Sequence, residues 1–211
     1  MSKIKNIIFD YGNVIFHINF QQVADAWKTL GITNADEFYG HRQQDDVFNA
    51  LERGEITPSA FRDRIRVLTH KPQLTDQQID NAWNAIFIGI PKGNHELLLE
   101  IKKKYRTFLL SNINAIHYDY VHDYLQREYN MKDNSALFEK VYYSHLMGKR
   151  KPDAGIFEQV LQENDLNPAE TLFIDDSPQH LETAKKLGLQ TYLMTAPDNI
   201  QDYFKTNGLL N

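Results

Sequence analysis

The stretch Ile7-Ile8-Phe9-Asp10-Tyr11-Gly12-Asn13-Val14 decides the reading of this chain: an apolar run that ends abruptly on an aspartate. Three β-favouring apolar residues followed by Asp and then Gly predict a buried strand that stops at a sharp turn. Such a strand delivers a carboxylate to its C-terminal end, where open parallel sheets bind their ligands. Gly12 would let the backbone take a conformation that a Cβ forbids, turning its carbonyl or the neighbouring N–H groups toward a ligand. A carboxylate placed this way can act as a nucleophile, a metal ligand, or both. Buried strands also end on Asp and Gly simply to turn, so the other segments decide.

From Pro91 onward the chain alternates helix and strand. Helical spacing over Leu97–Tyr105, Ile116–Tyr129, Ile156–Gln162 and Leu181–Leu187 is interleaved with short strands at Thr107–Leu110, Lys140–Tyr143, Leu172–Ile174 and Gln190–Leu193. Alternating βα units predict a parallel sheet with helices on both faces, to which the first strand belongs. Between about Asn19 and Ile90 the pattern is helical throughout, with no strand expected. Val23, Ala26, Trp27 and Leu30 mark one helix, and Phe38, Val47, Phe48 and Leu51 a second, between about Ala35 and Arg53 and ended by Gly54. Thr57-Pro58 opens a third, with Thr as N-cap and Pro in the first turn. Thr75 with Gln78 three residues later is a capping-box start for a fourth. The fold expected is α/β: a Rossmann-like parallel sheet core, residues 1–16 and 91–211, with an inserted four-helix cap over 17–90.

Composition narrows the function classes. The 211 residues suit one domain with an insertion, and 42% hydrophobic with 24% charged residues is ordinary for a globular protein. A net charge of −5 argues against a nucleic-acid surface, and no apolar stretch approaches a membrane span. The absence of Cys excludes disulfides and thiolate metal sites and agrees with a reducing compartment. Met1 to Lys5 runs straight into the first strand, predicting no signal peptide and a cytoplasmic location. Oligomeric state has no signature in the sequence.

Several expected strands end in related chemistry. Ser111-Asn112 follows Phe108-Leu109-Leu110 and offers a hydroxyl and an amide to an oxyanion, or a cap to the next helix. In Lys149-Arg150-Lys151-Pro152-Asp153, the proline holds Lys151 out of helical geometry just before a helix. There its ammonium can neutralise a phosphate, or stay solvated as Lys149 and Arg150 are expected to. Asp175-Asp176-Ser177-Pro178 ends another strand, with Ser177 able to cap the helix that Pro178 opens. Its paired acids suit the positive end of that helix, or a Mg²⁺ ion. Together these segments supply a carboxylate, oxyanion donors, an ammonium and a metal-binding acid pair, which is a phosphoryl-transfer set.

In this order, Asp10-Tyr11-Gly12-Asn13-Val14, Ser111-Asn112, Lys151-Pro152-Asp153 and Asp175-Asp176 resemble the haloacid dehalogenase-like hydrolase superfamily over nearly the whole chain. The Asp-x-Gly-Asn-Val form, with Gly54-Glu55-Ile56-Thr57, is similar to its α-D-glucose-1-phosphate phosphatase branch. The resemblance implies a phosphatase for small phosphorylated metabolites, with Asp10 as the nucleophile that becomes an aspartyl-phosphate. Mg²⁺ would be held by Asp10, the Gly12 carbonyl and Asp176, with Asp175 acting through a metal water or orienting Asp176. Tyr11, Gly12, Ser111 and Asn112 would bind the phosphoryl group, and Lys151 would offset charge between it and Asp10.

One position departs from the family pattern. Most phosphatases of the superfamily carry a second aspartate two residues after the nucleophile as general acid and base, and here that residue is Gly12. A general acid contributes roughly 10²–10⁴-fold where the leaving group needs a proton. Its absence is compatible with a leaving group as good as an anomeric oxygen, with a proton from elsewhere such as His17, or with weak catalysis. The acid pair disfavours dehalogenation, which needs no metal, and the missing aspartate disfavours a phosphomutase. A catalytically weak binding or regulatory protein is the alternative from another class.

Overall fold

The computed structural model describes residues 3–32 and 46–210. Strands β1 (Asn6–Phe9), β4 (Arg106–Ser111), β5 (Lys140–Tyr143), β6 (Thr171–Asp175) and β7 (Gln190–Leu193) form one sheet in the order β5-β4-β1-β6-β7. All its pairings are parallel, and β1 lies at the centre, with Phe9 level with Leu109 and Ile174. The expected α/β class and parallel sheet are therefore present. The alternation of β1 explains why it reads as a continuous apolar run. Ile7 and Phe9 enter one buried cluster and Ile8 the other, so both faces of the strand are covered.

Helices α5 (Asn94–Lys102), α6 (Ala115–Tyr129) and α10 (Ile200–Thr206) cover the first face through Leu98, Ile101, Val121, Leu125, Ile200 and Phe204. Helices α8 (Ala154–Glu163) and α9 (Pro178–Lys186) cover the second through Ile156, Phe157, Val160, Leu181 and Ala184. A one-turn helix, α7 (Ser144–Met147), follows β5 directly. The final helix α10 was not anticipated in the sequence.

Helices α1 (Phe20–Thr29), α2 (Asp46–Glu52), α3 (Pro58–Leu68) and α4 (Asp76–Asn84) enclose a separate apolar cluster that includes Trp27, Phe48, Phe61, Ile65 and Trp83. Thr57 caps α3 by accepting from the Ala60 N–H, and Thr75 and Gln78 form the expected capping box of α4. Of the helix expected from Ala35 to Arg53, the part over Asp46–Glu52 is described; Phe38 lies outside the described residues. The expectation of no strand between Asn19 and Ile90, with an all-helical segment from residue 17, is corrected. Strands β2 (His17–Ile18) and β3 (Phe87–Gly89) pair antiparallel where the chain leaves and re-enters the sheet layer. Strands this short carry no periodicity, and their pairing joins residues about seventy positions apart. No described helix is long and apolar enough to cross a membrane.

Candidate active site

The parallel sheet brings the C-terminal ends of β1, β4 and β6 side by side, and the expected residues meet there. The Lys151 ammonium donates to Asp10 Oδ1 at 2.7 Å and to Asp175 Oδ2 at 2.7 Å, with no exposure of the lysine side chain. One carboxylate oxygen from each of Asp10, Asp175 and Asp176 lies within 4.8 Å of the others. Lys151 reaches this point because the Asn112 amide clasps its main chain: Asn112 Nδ2 donates to the Lys151 carbonyl at 2.8 Å, and the Lys151 N–H donates to Asn112 Oδ1 at 2.9 Å. The Lys151–Pro152 bond is cis. The side chain of Asn112 is thus engaged in placing the lysine.

Each carboxylate sits in a different field. Burial pushes the Asp10 carboxyl above the usual carboxylate range; the Lys151 ammonium opposes this, and Asp175 and Asp176 add to the rise. Burial also raises Asp175, but the Lys151 and His180 charges and hydrogen bonds outweigh it and hold this acid well below the usual carboxylate range. Asp176 is raised by burial and by Asp175, against a hydrogen bond from Asn13. Burial opposes the Lys151 charge, yet the two carboxylates beside it leave its pKa raised. Three acids thus crowd around one buried ammonium that bonds two of them, a concentration of carboxylates that a hard dication with oxygen ligands would relieve. The donor set fits Mg²⁺ on that ground.

The residues expected to bind a phosphoryl group lie at the same edge. Ser111 ends β4 and is buried. Among the described residues, no acceptor takes the main-chain N–H of Tyr11 or Gly12 or the Ser111 hydroxyl proton. The Tyr11 side chain turns away into the core, edge-on to Phe16, with its hydroxyl donating to Asn134 Oδ1 at 3.5 Å. What Tyr11 can offer the edge is therefore its main chain.

The surroundings of Gly12 differ from the expectation. Its φ is not in the left-handed region; the left-handed residue of the turn is Asn13, at φ 54°. A Cβ on Gly12 would instead come within 2.9 Å of Ile18 Cδ1, so the linker strand fills the space a side chain there would use. Ser177, expected to cap α9, makes no side-chain cap bond; its N–H instead donates to Asp175 Oδ1 at 2.8 Å. Arg150, expected to be solvated, is half-buried and pairs with Glu52 of α2 at 2.8 Å. Lys149 donates to Gln159 Oε1 at 3.0 Å. Gly54, at φ +67°, abuts the main chain of α7, and a Cβ there would run into the His145 carbonyl oxygen. Helix α2 and its terminating turn are therefore seated directly on the residues beside the acid cluster.

Two residues of the site had no role in the sequence reading. His180 Nδ1 lies 2.9 Å from Asp175 Oδ1, and its place three residues after the N-cap Ser177 is the position from which a side chain reaches back past the helix start. Asn13 Nδ2 donates to Asp176 Oδ2 at 2.9 Å.

The pattern of the haloacid dehalogenase-like hydrolases matches residues 4–188. A D-ribitol-5-phosphate phosphatase from Bacteroides thetaiotaomicron is 30% identical over 95% of this chain and 95% of its own length. A sesquiterpene phosphatase from Aspergillus oryzae is 32% identical over 88% of this chain and 87% of its own. Among solved structures, a HAD family enzyme from B. thetaiotaomicron in complex with magnesium and inorganic phosphate superposes with TM-score 0.86 at 36% identity, covering 95% of this chain and 99% of that one. A predicted HAD-like hydrolase from Porphyromonas gingivalis gives 0.84 at 31%, covering 98% of each chain. Family and relatives together support a phosphoric monoester hydrolase. With its parallel sheet, its acid cluster around a buried lysine and a match over most of its length, the chain belongs to the haloacid dehalogenase-like hydrolase family.

Proposed function

We propose that this protein is a magnesium-dependent phosphatase that hydrolyses small phosphorylated metabolites through an aspartyl-phosphate on Asp10. The observation that carries the reading is the buried Lys151 ammonium shared by Asp10 and Asp175, with Asp176 completing the acid cluster. Asp10 attacks phosphorus, and the bond to the leaving oxygen breaks with its electron pair. Lys151 offsets the repulsion between carboxylate and phosphate while fixing the Asp10 oxygen in line. The N–H groups of Tyr11 and Gly12 and the Ser111 hydroxyl hold the phosphoryl oxygens. Asn112 contributes by clasping Lys151. Water then attacks the aspartyl-phosphate, releasing inorganic phosphate and the free Asp10 carboxylate. Asp10, Asp176 and the Gly12 carbonyl would hold Mg²⁺, with Asp175 behind them, and the ion would supply charge neutralisation to carboxylate and phosphate alike. In this reading residues 17–90 form a cap over a core of residues 1–16 and 91–211, and substrate choice belongs to the cap side. The polar residues His41, Arg42, Gln43 and Gln44 of this segment, none of which the sequence assigns to substrate, lie outside the described residues.

Within that class, Gly12 favours a sugar 1-phosphate. An anomeric oxygen leaves with less need of a proton, and position 12 holds no acid. The ribitol-5-phosphate phosphatase relative favours a terminal phosphate on a polyol instead. Turnover of a panel of sugar 1-phosphates, sugar 6-phosphates and ribitol 5-phosphate with Mg²⁺ separates the two. The anomeric reading expects kcat/KM for 1-phosphates to lead by about 10²-fold or more, the lower end of general-acid effects. Equal or lower values for 1-phosphates discard it. No phosphate release from any member, above an Asp10→Asn control, discards the phosphatase reading.

A further inference from the structure

Asn13 is the left-handed residue of the loop between β1 and β2, pinned there by its N–H donating to the Phe16 carbonyl at 2.8 Å. Its side chain works in two directions at once. Nδ2 donates to Asp176 Oδ2 at 2.9 Å, and Oδ1 accepts the main-chain N–H of Ile18 at 3.1 Å. This orientation of the amide is enforced, because a flipped amide would face its oxygen to a carboxylate and its NH₂ to an N–H. Ile18 belongs to the strand on which the chain leaves for the helical segment, packs against that segment's apolar cluster, and fills the space above Gly12.

We propose that Asn13 is a positioning residue that couples the acid cluster to the linker strand, so that a metal held by Asp176 and a seated linker stabilise each other. The inference rests on the reading of Asp176 as a Mg²⁺ ligand. With Nδ2 on Oδ2, the Asp176 carboxylate is held in one orientation with its second oxygen left for the cation, an outer partner of the kind that orients a metal ligand. The same amide plane fixes Oδ1 for Ile18. Whatever reorients Asp176 must therefore rotate Asn13 and weaken the Ile18 bond, and coupling of this sort is reciprocal. Asn suits the position because it tolerates a left-handed backbone and carries both a donor and an acceptor.

The test measures Mg²⁺ affinity by calorimetry and exchange of the Ile18 amide by NMR, in the wild type and in Asn13→Gly. Glycine accepts φ 54° without strain, so the variant removes the amide and keeps the loop. In the wild type, saturating Mg²⁺ is expected to slow Ile18 exchange by about fivefold or more, the lower end of ordinary coupling. In Asn13→Gly, Mg²⁺ affinity is expected to fall about tenfold, with Ile18 exchange fast and indifferent to Mg²⁺. Wild-type Mg²⁺ binding without a response at Ile18, or an unchanged affinity in Asn13→Gly, overturns the coupling and leaves the metal reading standing. Absence of Mg²⁺ binding to the wild type overturns both. The wild-type exchange comparison decides the matter even if the variant fails to fold.

Discussion

The C-terminal edge of the sheet and the helical segment between Phe20 and Asn84 handle charge in opposite ways. At the edge, Lys151 and Asp175 have no exposed side-chain surface, and Asp10 and Asp176 crowd the same point. In the helical segment the charges stay toward the outside, as in the Arg62–Asp80 pair and the Arg66 contacts with Asp63 and Asp76. Its interior is a cluster of rings, with Phe48 5.5 Å from Phe61 and 5.1 Å from Trp83, centroid to centroid. Removing charges from water opposes folding unless geometry repays it, whereas burying rings favours folding directly. One region buries charge at some cost to stability, and the other supplies stability through packed rings.

That contrast is broken most directly at Asp10. Asp10→Asn keeps the shape, removes the proposed nucleophile and leaves Lys151 paired with Asp175. Phosphatase turnover is expected to fall at least about 10³-fold. The melting temperature is expected to stay level or rise, because one of three crowded acids is gone. A marked loss of thermal stability would show instead that the Asp10 charge holds the fold. The mirror experiment is Phe61→Ala, within the ring cluster and fully buried. It is expected to lower unfolding free energy by about 3–5 kcal/mol in denaturant titrations. A loss below 1 kcal/mol would mean that the ring cluster is not what stabilises the segment.

The two regions also differ in how much of them the sequence reveals. The strand ends are legible because a parallel strand buried on both faces is an unbroken apolar run, so Asp10, Ser111 and Asp175 stand out where Phe9, Leu110 and Ile174 stop. Lys151 is legible only jointly with them. Its burial depends on the Asn112 clasp, which joins residues 39 positions apart and leaves no local trace. Helix starts at Thr57 and Thr75 are legible because capping is local. Strands β2 and β3 are not, since two or three residues carry no period and their partner lies across the whole insertion. The second function of Asn13 is hidden for the same reason: Asp176 is 163 residues away. Gly12 shows the opposite failure. A conformational requirement is its local reading, yet its φ is ordinary and what crowds it is a neighbour in space, the tip of Ile18.

A gentler probe lies where the two regions touch. His117, near the start of α6, stacks on Trp83 of α4 with centroids 4.7 Å apart and is buried. Asn114 Nδ2 lies 3.0 Å from its Nδ1, and its Nε2 lies 3.2 Å from the Trp83 carbonyl. An acceptor at Nδ1 and a donor at Nε2 are what the neutral ring offers, so both contacts are satisfied without a charge. Burial lowers its pKa to about 3, against a smaller opposing effect of the Trp83 carbonyl. In the unfolded chain the ring titrates near 6.5, so between these values the unfolded state binds the extra proton. The contribution of neutral His117 is complete above pH 6.5 and is lost as pH falls from there toward about 3. Over pH 7 to 5 this one group should remove about 2 kcal/mol of stability. His117→Gln keeps hydrogen-bonding capacity without a titrating ring, so its stability is expected to decline less over that interval, even if it is lower at pH 7. Chemical denaturation of both proteins at several pH values measures the difference in slope. Parallel declines would place the acid sensitivity elsewhere, and the crowded carboxylates of the sheet edge would be the next place to look. A shallower decline in the variant would show that the seam between the two regions, held by ring packing yet carrying a titratable group, gives way to acid by its own route.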